Sequence, residues 1–501
     1  MGTAAAFRNL VDGEWVASAS GKTFVDESPS ARGSVLGHFP ASGAGDAVRA
    51  VDAAAAAFPG WRGTQLRDRQ DAVGRFLALL RERREELSRI VAMENGKTIR
   101  EARAEVDSAL LEGTYHVQQA ARFFGHGLPS GTKGVTGWVQ FHPRGVAAVI
   151  CPWNFPVNIL CRKALPALLT GNTVVFKPAS FTPWSGIILS ELFTAAGFPR
   201  GVFNTVTGMG GEVGDALVGD PRVKAVSFTG STEVGRQIQL KAAAGLKATQ
   251  LELGGKNALI VMDDADLDAA VAAIAAAGLA CAGQWCTSTS RVLAHQAVYK
   301  EFAGKLVALC ESRRVGDPLD ESTDMGPVAG SAQLKRITAA IQKARSDGAR
   351  LLTGGAPPAA SSGLPDGYFM SPTVFIDVDA STDLFREEVF GPVLALRSFS
   401  TLDEALRVAN DSAYGLSSAI FTNDLAAALT YVEGIDAGMA HVNINTGYKD
   451  PSLPFGGWKD SGAGLPENDL SGLEFFVSRK AVYLGAGAVG AGGASPTGGT
   501  R

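Results

Sequence analysis

Gly283-Gln284-Trp285-Cys286-Thr287 sets a cysteine among small and polar residues directly after the apolar run from Val271 to Ala282, and Leu251-Glu252-Leu253-Gly254-Gly255-Lys256 sets a glutamate inside an apolar stretch. Taken alone, Cys286 is equally readable as a small buried hydrophobe, a common state of free cysteine. Glu252 is the odder residue, because carboxylates are rarely buried unless they are paired or functional. The glycine pair after it lets another group approach the backbone closely. Brought to one site, Cys286 would be a nucleophile and Glu252 a general base.

Outward from these blocks the chain alternates β and α patterns. β-branched runs at 145–150, 173–176, 201–206 and 225–228 are separated by helical patterns, which predicts a mostly parallel sheet covered by helices. After Lys256, a strand over 258–262 and a helix over 267–282 open a second α/β unit that continues to about Thr422, so Glu252 and Cys286 are expected to face each other across a domain boundary, where ligand clefts commonly lie. Nearer the start, 13–16 and 22–25 read as the strands of one hairpin. A helical pattern from Asp46 is expected to break at Pro59-Gly60 and to restart near Arg67. Phe76, Leu77, Leu80, Leu87, Ile90 and Val91 then give one amphipathic helix ending near Asn95-Gly96. A further helix over about 98–124 carries a Glu/Arg-rich face read as solvated surface. Residues 485–501 are Gly/Ala/Ser/Thr-rich and read as a disordered tail.

The 501 residues suit about two to four domains. A net charge of −4 offers no basic surface for nucleic acid, so no such partner is expected. The five cysteines, at 151, 161, 281, 286 and 310, lack zinc-type spacing, and the six histidines form no His-x-x-x-His, so neither a metal nor a disulfide framework is expected. The start does not read as a secretory signal, Ala6 stands where myristoylation wants Ser or Thr, and the Ala-rich runs are too short to cross a bilayer. The expectation is a cytoplasmic protein without a membrane partner.

No Gly-x-Gly-x-x-Gly follows a strand and opens a helix. In its place Gly230-Ser231-Thr232-Glu233-Val234-Gly235 follows the 225–228 run; it reads either as a phosphate site at a helix N-terminus or as an ordinary Ser/Thr cap. Together with the cysteine and glutamate blocks, this stretch resembles the motifs of the aldehyde dehydrogenase superfamily. Pro152-Trp153-Asn154-Phe155-Pro156, Lys177-Pro178-Ala179, Glu387-Glu388-Val389-Phe390-Gly391-Pro392 and Pro454-Phe455-Gly456-Gly457 are similar to further motifs in the family's order, from about Trp15 to Leu484.

The resemblance implies an α/β aldehyde dehydrogenase-like fold. It would have a Rossmann-type NAD(P)-binding domain (1–124 and 144–253), an α/β catalytic domain (254–445) and small β oligomerisation segments (125–143 and 446–484). It implies a homodimer or homotetramer, with Gln140-Phe141 and Phe475-Phe476-Val477 suited to strand pairing between subunits. It makes Cys286 the nucleophile, Glu252 the base and Asn154 the oxyanion donor. Trp153, Lys177, Ser180, Gly230, Ser231, Glu388 and Phe390 would hold NADP or NAD, with Lys177 near the adenosine ribose, Ser231 at the pyrophosphate, Glu388 at the nicotinamide ribose and Phe390 near the ring. Phe155, Arg162 and Phe455 would meet a small aldehyde. Lys163 falls beside the substrate tunnel, or is a surface lysine. Glu467 falls near a proton-relay glutamate, with one extra residue before it.

The chemistry follows from the aldehyde. A trigonal carbonyl carbon cannot readily give up hydride, because an unstabilised acyl cation would result. A thiolate that adds first makes a tetrahedral alkoxide, and loss of hydride from it leaves a thioester. Asn154 and the Cys286 N–H would meet the alkoxide, and Glu252 would activate water to release the acid. Relatives that pass the acyl group to coenzyme A typically lack this glutamate. Arg162 resembles the carboxylate-binding arginine of succinate-semialdehyde dehydrogenases, although their second arginine is replaced by Ala280. The run from Gln284 to Arg291 is more similar to 2,5-dioxopentanoate (α-ketoglutaric semialdehyde) dehydrogenases. Succinate semialdehyde, an aromatic aldehyde and a non-catalytic protein keeping the fold are the alternatives.

Overall fold

A computed structural model describes residues 5–485 apart from 124, 129, 360 and 361. Of the expected tail, Gly485 closes a strand opposite Val135 and the remainder lies outside the described residues.

Two large sheets carry the fold. The first has eight strands, in the spatial order Gly462–Ala463, Ala248–Glu252, Val223–Thr229, Val146–Ile150, Thr173–Lys177, Phe203–Thr205, Asn9–Val11 and Glu14–Val16. The five from Ala248–Glu252 to Phe203–Thr205 are mutually parallel. Val146–Ile150 and Thr173–Lys177 are buried along their whole length, which is why they read as continuous runs rather than as alternation. The chain winds outward from Val146–Ile150 in one direction, then returns to its other side. That reversal of strand order creates a crevice at the carboxyl ends of the strands.

The second sheet has seven strands, ordered Arg350–Thr353, Thr373–Ile376, Val393–Phe399, Thr289–His295, Asn257–Val261, Ser417–Phe421 and Met439–Val442. All but the first run parallel. Glu252 ends a strand of the first sheet and Asn257 begins one of the second, so the carboxyl ends of one sheet meet the amino ends of the other across four residues. A third sheet joins Val477–Gly485, Val135–Pro143 and His126–Leu128. Here Phe141 pairs with Arg479 and Gln140 with Lys480 of the same chain, while Phe475 and Phe476 are buried in the first core. Within the chain, Val477–Gly485 pairs with Val135–Pro143 and is an edge strand of this sheet.

Several expectations about elements are corrected. The helix Ala44–Gly63 runs through Pro59, because Trp61 in its last turn is buried and donates Nε1–H to Leu168 O at 3.1 Å, fixing that turn. The long amphipathic helix is two, Leu66–Glu82 and Arg84–Asn95, broken where Arg83 leaves helical geometry at φ −93°, ψ 17°. The apolar period continues across the break, so the sequence carries no sign of it. Glu14–Val16 pairs with Asn9–Val11 through Asp12-Gly13, both at positive φ as a two-residue hairpin turn requires, whereas Thr23–Glu27 pairs with Val35–Pro40 in another sheet.

The helix expected over 267–282 stops at Ala277. Cys281 (φ 52°), Ala282 (φ 53°) and Gly283 (φ 68°) then form a left-handed turn that throws Cys286 out of the helix line. A Cβ on Gly283 would lie 2.3 Å from Gly391 O, a backbone atom that cannot swing aside. Gly283→Ala should therefore cost about 2 kcal/mol or more. Gly348→Ala, at φ 90° with nothing within 4 Å, should cost only about 1–2 kcal/mol. Denaturation midpoints of the two variants check the difference.

Candidate active site

The left-handed turn delivers Cys286 to a cavity of about 370 Å³ lined by Glu252, Phe155, Arg162, Phe455 and Glu467 among others. Asn257 Nδ2 holds the loop by donating to Cys286 O and Ser288 O, both at 2.8 Å. Buried Gln284 holds it from behind, accepting from Ala329 N at 2.9 Å. Asn154, four residues past the strand Val146–Ile150, donates Nδ2–H to Gln284 O at 3.1 Å. One amide hydrogen thus ties Asn154 to the cysteine loop and leaves the other for a ligand; its Oδ1 is buried without a partner.

The Cys286 thiol and the Glu252 carboxyl are both shifted toward their protonated forms. Burial pushes the thiol up to about 12, against the pull of Arg162, and Glu252 and Glu388 push the same way. Burial raises the Glu252 carboxyl well above its usual range, the Glu467 charge raises it further, and Lys163 and Arg162 oppose. Its Oε2 has no hydrogen-bond partner. Gly456 closes over Oε1, where an added Cβ would come within 3.1 Å. Glu467, despite the extra residue before it, lies in this group: it accepts from Lys163 Nζ and from Arg162 Nη1 at 3.2 Å. Lys163 is fully buried rather than at the surface and also donates to Ser227 Oγ at 2.9 Å, which bonds Gln250 Oε1 at 2.8 Å.

Arg162 lines the cavity with every guanidinium nitrogen already engaged. Nε donates to Glu112 at 3.1 Å, Nη1 to Glu467, and Nη2 to Asn158 Oδ1 at 2.6 Å and to Glu112 at 3.4 Å. Four of its five N–H groups are thus spent within the protein, leaving one on Nη1, and the group lies over the Phe455 ring at 4.3 Å.

Of the remaining sequence candidates, Trp153, Lys177, Ser180, Gly230 and Ser231 lie at or beyond the carboxyl ends of strands of the first sheet, while Glu388 and Phe390 precede the strand Val393–Phe399 of the second. Ser231 caps the helix Thr232–Ala243 through Val234 N at 3.4 Å, and the N–H groups of the first turn lack intrahelical acceptors. Gly230 can carry no side chain, since a Cβ would come within 2.4 Å of the Phe228 ring. Lys177 is buried, bonds only Pro178 O at 3.0 Å, and is lowered to about 8 by burial. No carboxylate pairs with it among the described residues, and Ser180 beyond it is half-buried. Glu388 accepts from Gly255 N at 2.9 Å and burial pushes it to about 7. Trp153 meets Phe390 edge-on at 5.5 Å, and Phe390 is held at φ 56° by Gln333 Nε2, which donates to its carbonyl at 2.6 Å. A helix N-terminus, a buried cation without a counter-ion and a cradle that excludes Cβ atoms fit a dinucleotide phosphate. No group of three or more His, Cys, Asp or Glu among the described residues is placed for a metal ion.

The helix Ile99–Ala120 corrects the reading of its polar face. Arg103 and Asp107 do face solvent, but Glu101, Glu105, Ser108 and Glu112 form a stripe that walls the cavity or ties it down. Glu105 accepts from Val157 N at 2.8 Å and Asn158 N at 3.2 Å, capping the helix Pro156–Leu169, and pairs with buried Lys97 at 2.6 Å. Lys97 also donates to Asn154 O at 2.6 Å and lies 3.7 Å from the Phe155 ring centroid. The stripe's spacing of four, three and four residues was the signal available in the sequence. Nothing there pointed to Lys449, which pairs with Glu112 at 2.5 Å.

A thiol and a carboxyl brought together beside a crevice at a parallel sheet's strand ends define a thiol-dependent dehydrogenase class on an α/β scaffold. The Aldehyde dehydrogenase family model matches residues 15–482, and the chain belongs to that family. It is 37% identical over 478 residues to the alpha-ketoglutaric semialdehyde dehydrogenase of Bacillus subtilis (strain 168), covering 95% of this chain and 98% of that one. It is also 37% identical to the NADP(+) succinate-semialdehyde dehydrogenase of Escherichia coli (strain K12), covering 95% and 97%. The crystal structure of betaine aldehyde dehydrogenase from Staphylococcus aureus in complex with NAD+ superposes with a TM-score of 0.93 at 34% identity, covering 96% of this chain and 95% of that one. No helix among the described residues is long and apolar enough to cross a membrane.

Proposed function

We propose that the protein oxidises a small carboxylate-bearing semialdehyde, such as 2,5-dioxopentanoate, to the carboxylic acid and releases it by hydrolysis. The observation that carries the hydrolytic part is the unpartnered, buried Glu252 carboxyl in the cavity that Cys286 lines. The substrate class is supported by the semialdehyde dehydrogenases to which the chain is similar. When bound, NAD or NADP supplies the two-electron acceptor. The Cys286 thiol gives its proton to solvent and Sγ bonds the carbonyl carbon; the free Asn154 amide hydrogen meets the oxygen as charge develops there. Sulfur stays bonded through oxidation, so the acyl group is held as a thioester. Glu252 then takes a proton from water, the new C–O bond forms, and sulfur leaves as thiolate. The exposed apolar side chains Leu425, Leu429 and Val432 on Leu425–Gly434 support a homo-oligomer, and five free cysteines suit a cytoplasmic setting.

Cys286→Ala should abolish turnover with cofactor binding kept. Glu252→Gln should give a burst of about one equivalent of reduced cofactor and then turnover slowed by about 10²–10⁴. Steady oxidation by folded Cys286→Ala would remove the thiol from the mechanism. Because the Glu252 carboxyl is raised, its base form is scarce at low pH and grows as pH rises through that pKa. Deacylation should climb with pH in the wild type, and this limb should vanish in Glu252→Gln.

We also infer that NADP is used at least as well as NAD. Lys177 stands without a carboxylate partner, and Ser180 occupies the position where NAD-preferring members commonly carry glutamate. A carboxylate about 4 Å from a 2′-phosphate costs roughly 4 kcal/mol per unit charge at an effective dielectric near 20, and less where water enters. Ser180→Glu should lower the NADP:NAD ratio of kcat/KM by about 100-fold. An unchanged ratio would mean that position 180 does not face the ribose.

A further inference from the structure

We propose that Lys449, rather than Arg162, is the counter-charge that the cavity presents to the substrate's remote carboxylate. This rests on the semialdehyde reading above.

Charge balance at this end of the cavity is uneven. Glu112 is shared by Arg162 and Lys449, and Glu467 by Arg162 and Lys163, so three cations stand on two carboxylates. Burial alone would raise the Glu112 carboxyl, but the Arg162 and Lys449 charges outweigh it and hold it ionised near 2. His116 adds little charge, since burial lowers it to about 4, and burial with the Glu467 charge raises Glu252 well above its usual range. Lys97 and Glu105 close on each other. Glu101, the other lining carboxylate, is eleven residues from Glu112 along the helix, about 16 Å away, and is spent on the N–H groups of Thr98 and Cys281. Arg162, Lys163 and Lys449 thus outnumber by one the carboxylates they bond.

Of the three cations, Lys449 is the one most open to a ligand. Lys163 is fully buried against Glu467 and Ser227. The Arg162 side chain is 4% exposed with all three nitrogens engaged, whereas that of Lys449 is 19% exposed. Lys449 lies in the stretch Gly447-Tyr448-Lys449, which lines the same cavity as Cys286. Its ammonium donates to Glu112 Oε1 at 2.5 Å and Asn158 Oδ1 at 2.6 Å, which leaves the third N–H free. The Phe455 ring lies 6.0 Å from it. A substrate carboxylate seated on that hydrogen neutralises the surplus charge; an uncharged aldehyde of the same length does not. Arg162 is then a positioning residue that holds Glu112 and Glu467 in place.

The test compares kcat/KM for 5-oxopentanoate and pentanal at saturating cofactor in the wild type, Lys449→Gln and Lys449→Arg. The amide of Lys449→Gln can still donate to Glu112, so it removes charge with little loss of packing. Losing a charge-assisted hydrogen bond should lower the 5-oxopentanoate:pentanal ratio by about 30- to 100-fold, through KM rather than kcat. Lys449→Arg should keep the ratio within about fivefold. A ratio unchanged in Lys449→Gln, or equal losses on both aldehydes, overturns the proposal, the second because Lys449 would then act only by holding Glu112. Should Lys449→Gln not fold, Lys449→Met carries the same comparison. A wild type that does not favour 5-oxopentanoate refutes the semialdehyde reading itself, a separate outcome.

Discussion

The site depends on one constraint, the crossing from the first sheet to the second between Glu252 and Asn257. The chain has four residues in which to leave one parallel sheet at its carboxyl end and begin another at its amino end, inside the protein. A Cβ on Gly254 would stand 2.8 Å from Glu388 Oε2, and one on Gly255 would stand 2.5 Å from Cys286 O. The glycines are therefore what allow the glutamate, the cysteine loop and the Glu388 segment to share one small volume. Asn257 completes the arrangement, because the first residue of the second sheet is also the donor that fixes Cys286 O. Sheet register and active-site geometry are thus the same fact seen at two scales.

Around that crossing the protein spends charge unevenly. Burial shifts the reacting pair, Cys286 and Glu252, toward their neutral forms, whereas a few residues away Arg162, Lys163, Lys449, Glu112 and Glu467 pair with one another in a nearly closed wall. Buried ion pairs add little net stability over apolar packing, but breaking one by removing a partner costs about 3–5 kcal/mol. Such a wall resists rearrangement, which suits a surface that must hold its shape while the neighbouring thiol and carboxyl change protonation. The two regimes are coupled, since the Glu467 charge is one of the causes that raises Glu252.

Much of this was legible from the sequence. The fully buried strands announced themselves as unbroken β-branched runs, and Gly254-Gly255 beside Glu252 marked a close approach. What escaped was set by distant partners. Arg83 breaks a helix whose apolar period does not falter, and Trp61 holds a helix through a proline by reaching Leu168 O. The carboxylates that bond Arg162 come from positions 112 and 467, far from it in sequence. The stripe Glu101, Glu105, Ser108, Glu112 was readable as one face of a helix, but periodicity tells only that residues share a face, not whether that face meets water or a cavity.

Lys97 shows how the wall and the chemistry are joined. Its ammonium is fully buried, and burial opposes its charge most strongly, yet Glu105, with the Cys281 and Glu101 charges, outweighs that penalty and raises it. The same ammonium donates to Asn154 O and lies on the Phe155 ring, while Glu105 caps the helix that begins at Pro156. The backbone on either side of Asn154 is therefore clamped by one ion pair, and its side chain is clamped by Gln284 O. An oxyanion donor is useful only if it does not have to reorganise when charge appears. In this protein that rigidity comes from a lysine and a glutamate on the neighbouring helix and the turn before it, neither of which need touch the aldehyde carbon.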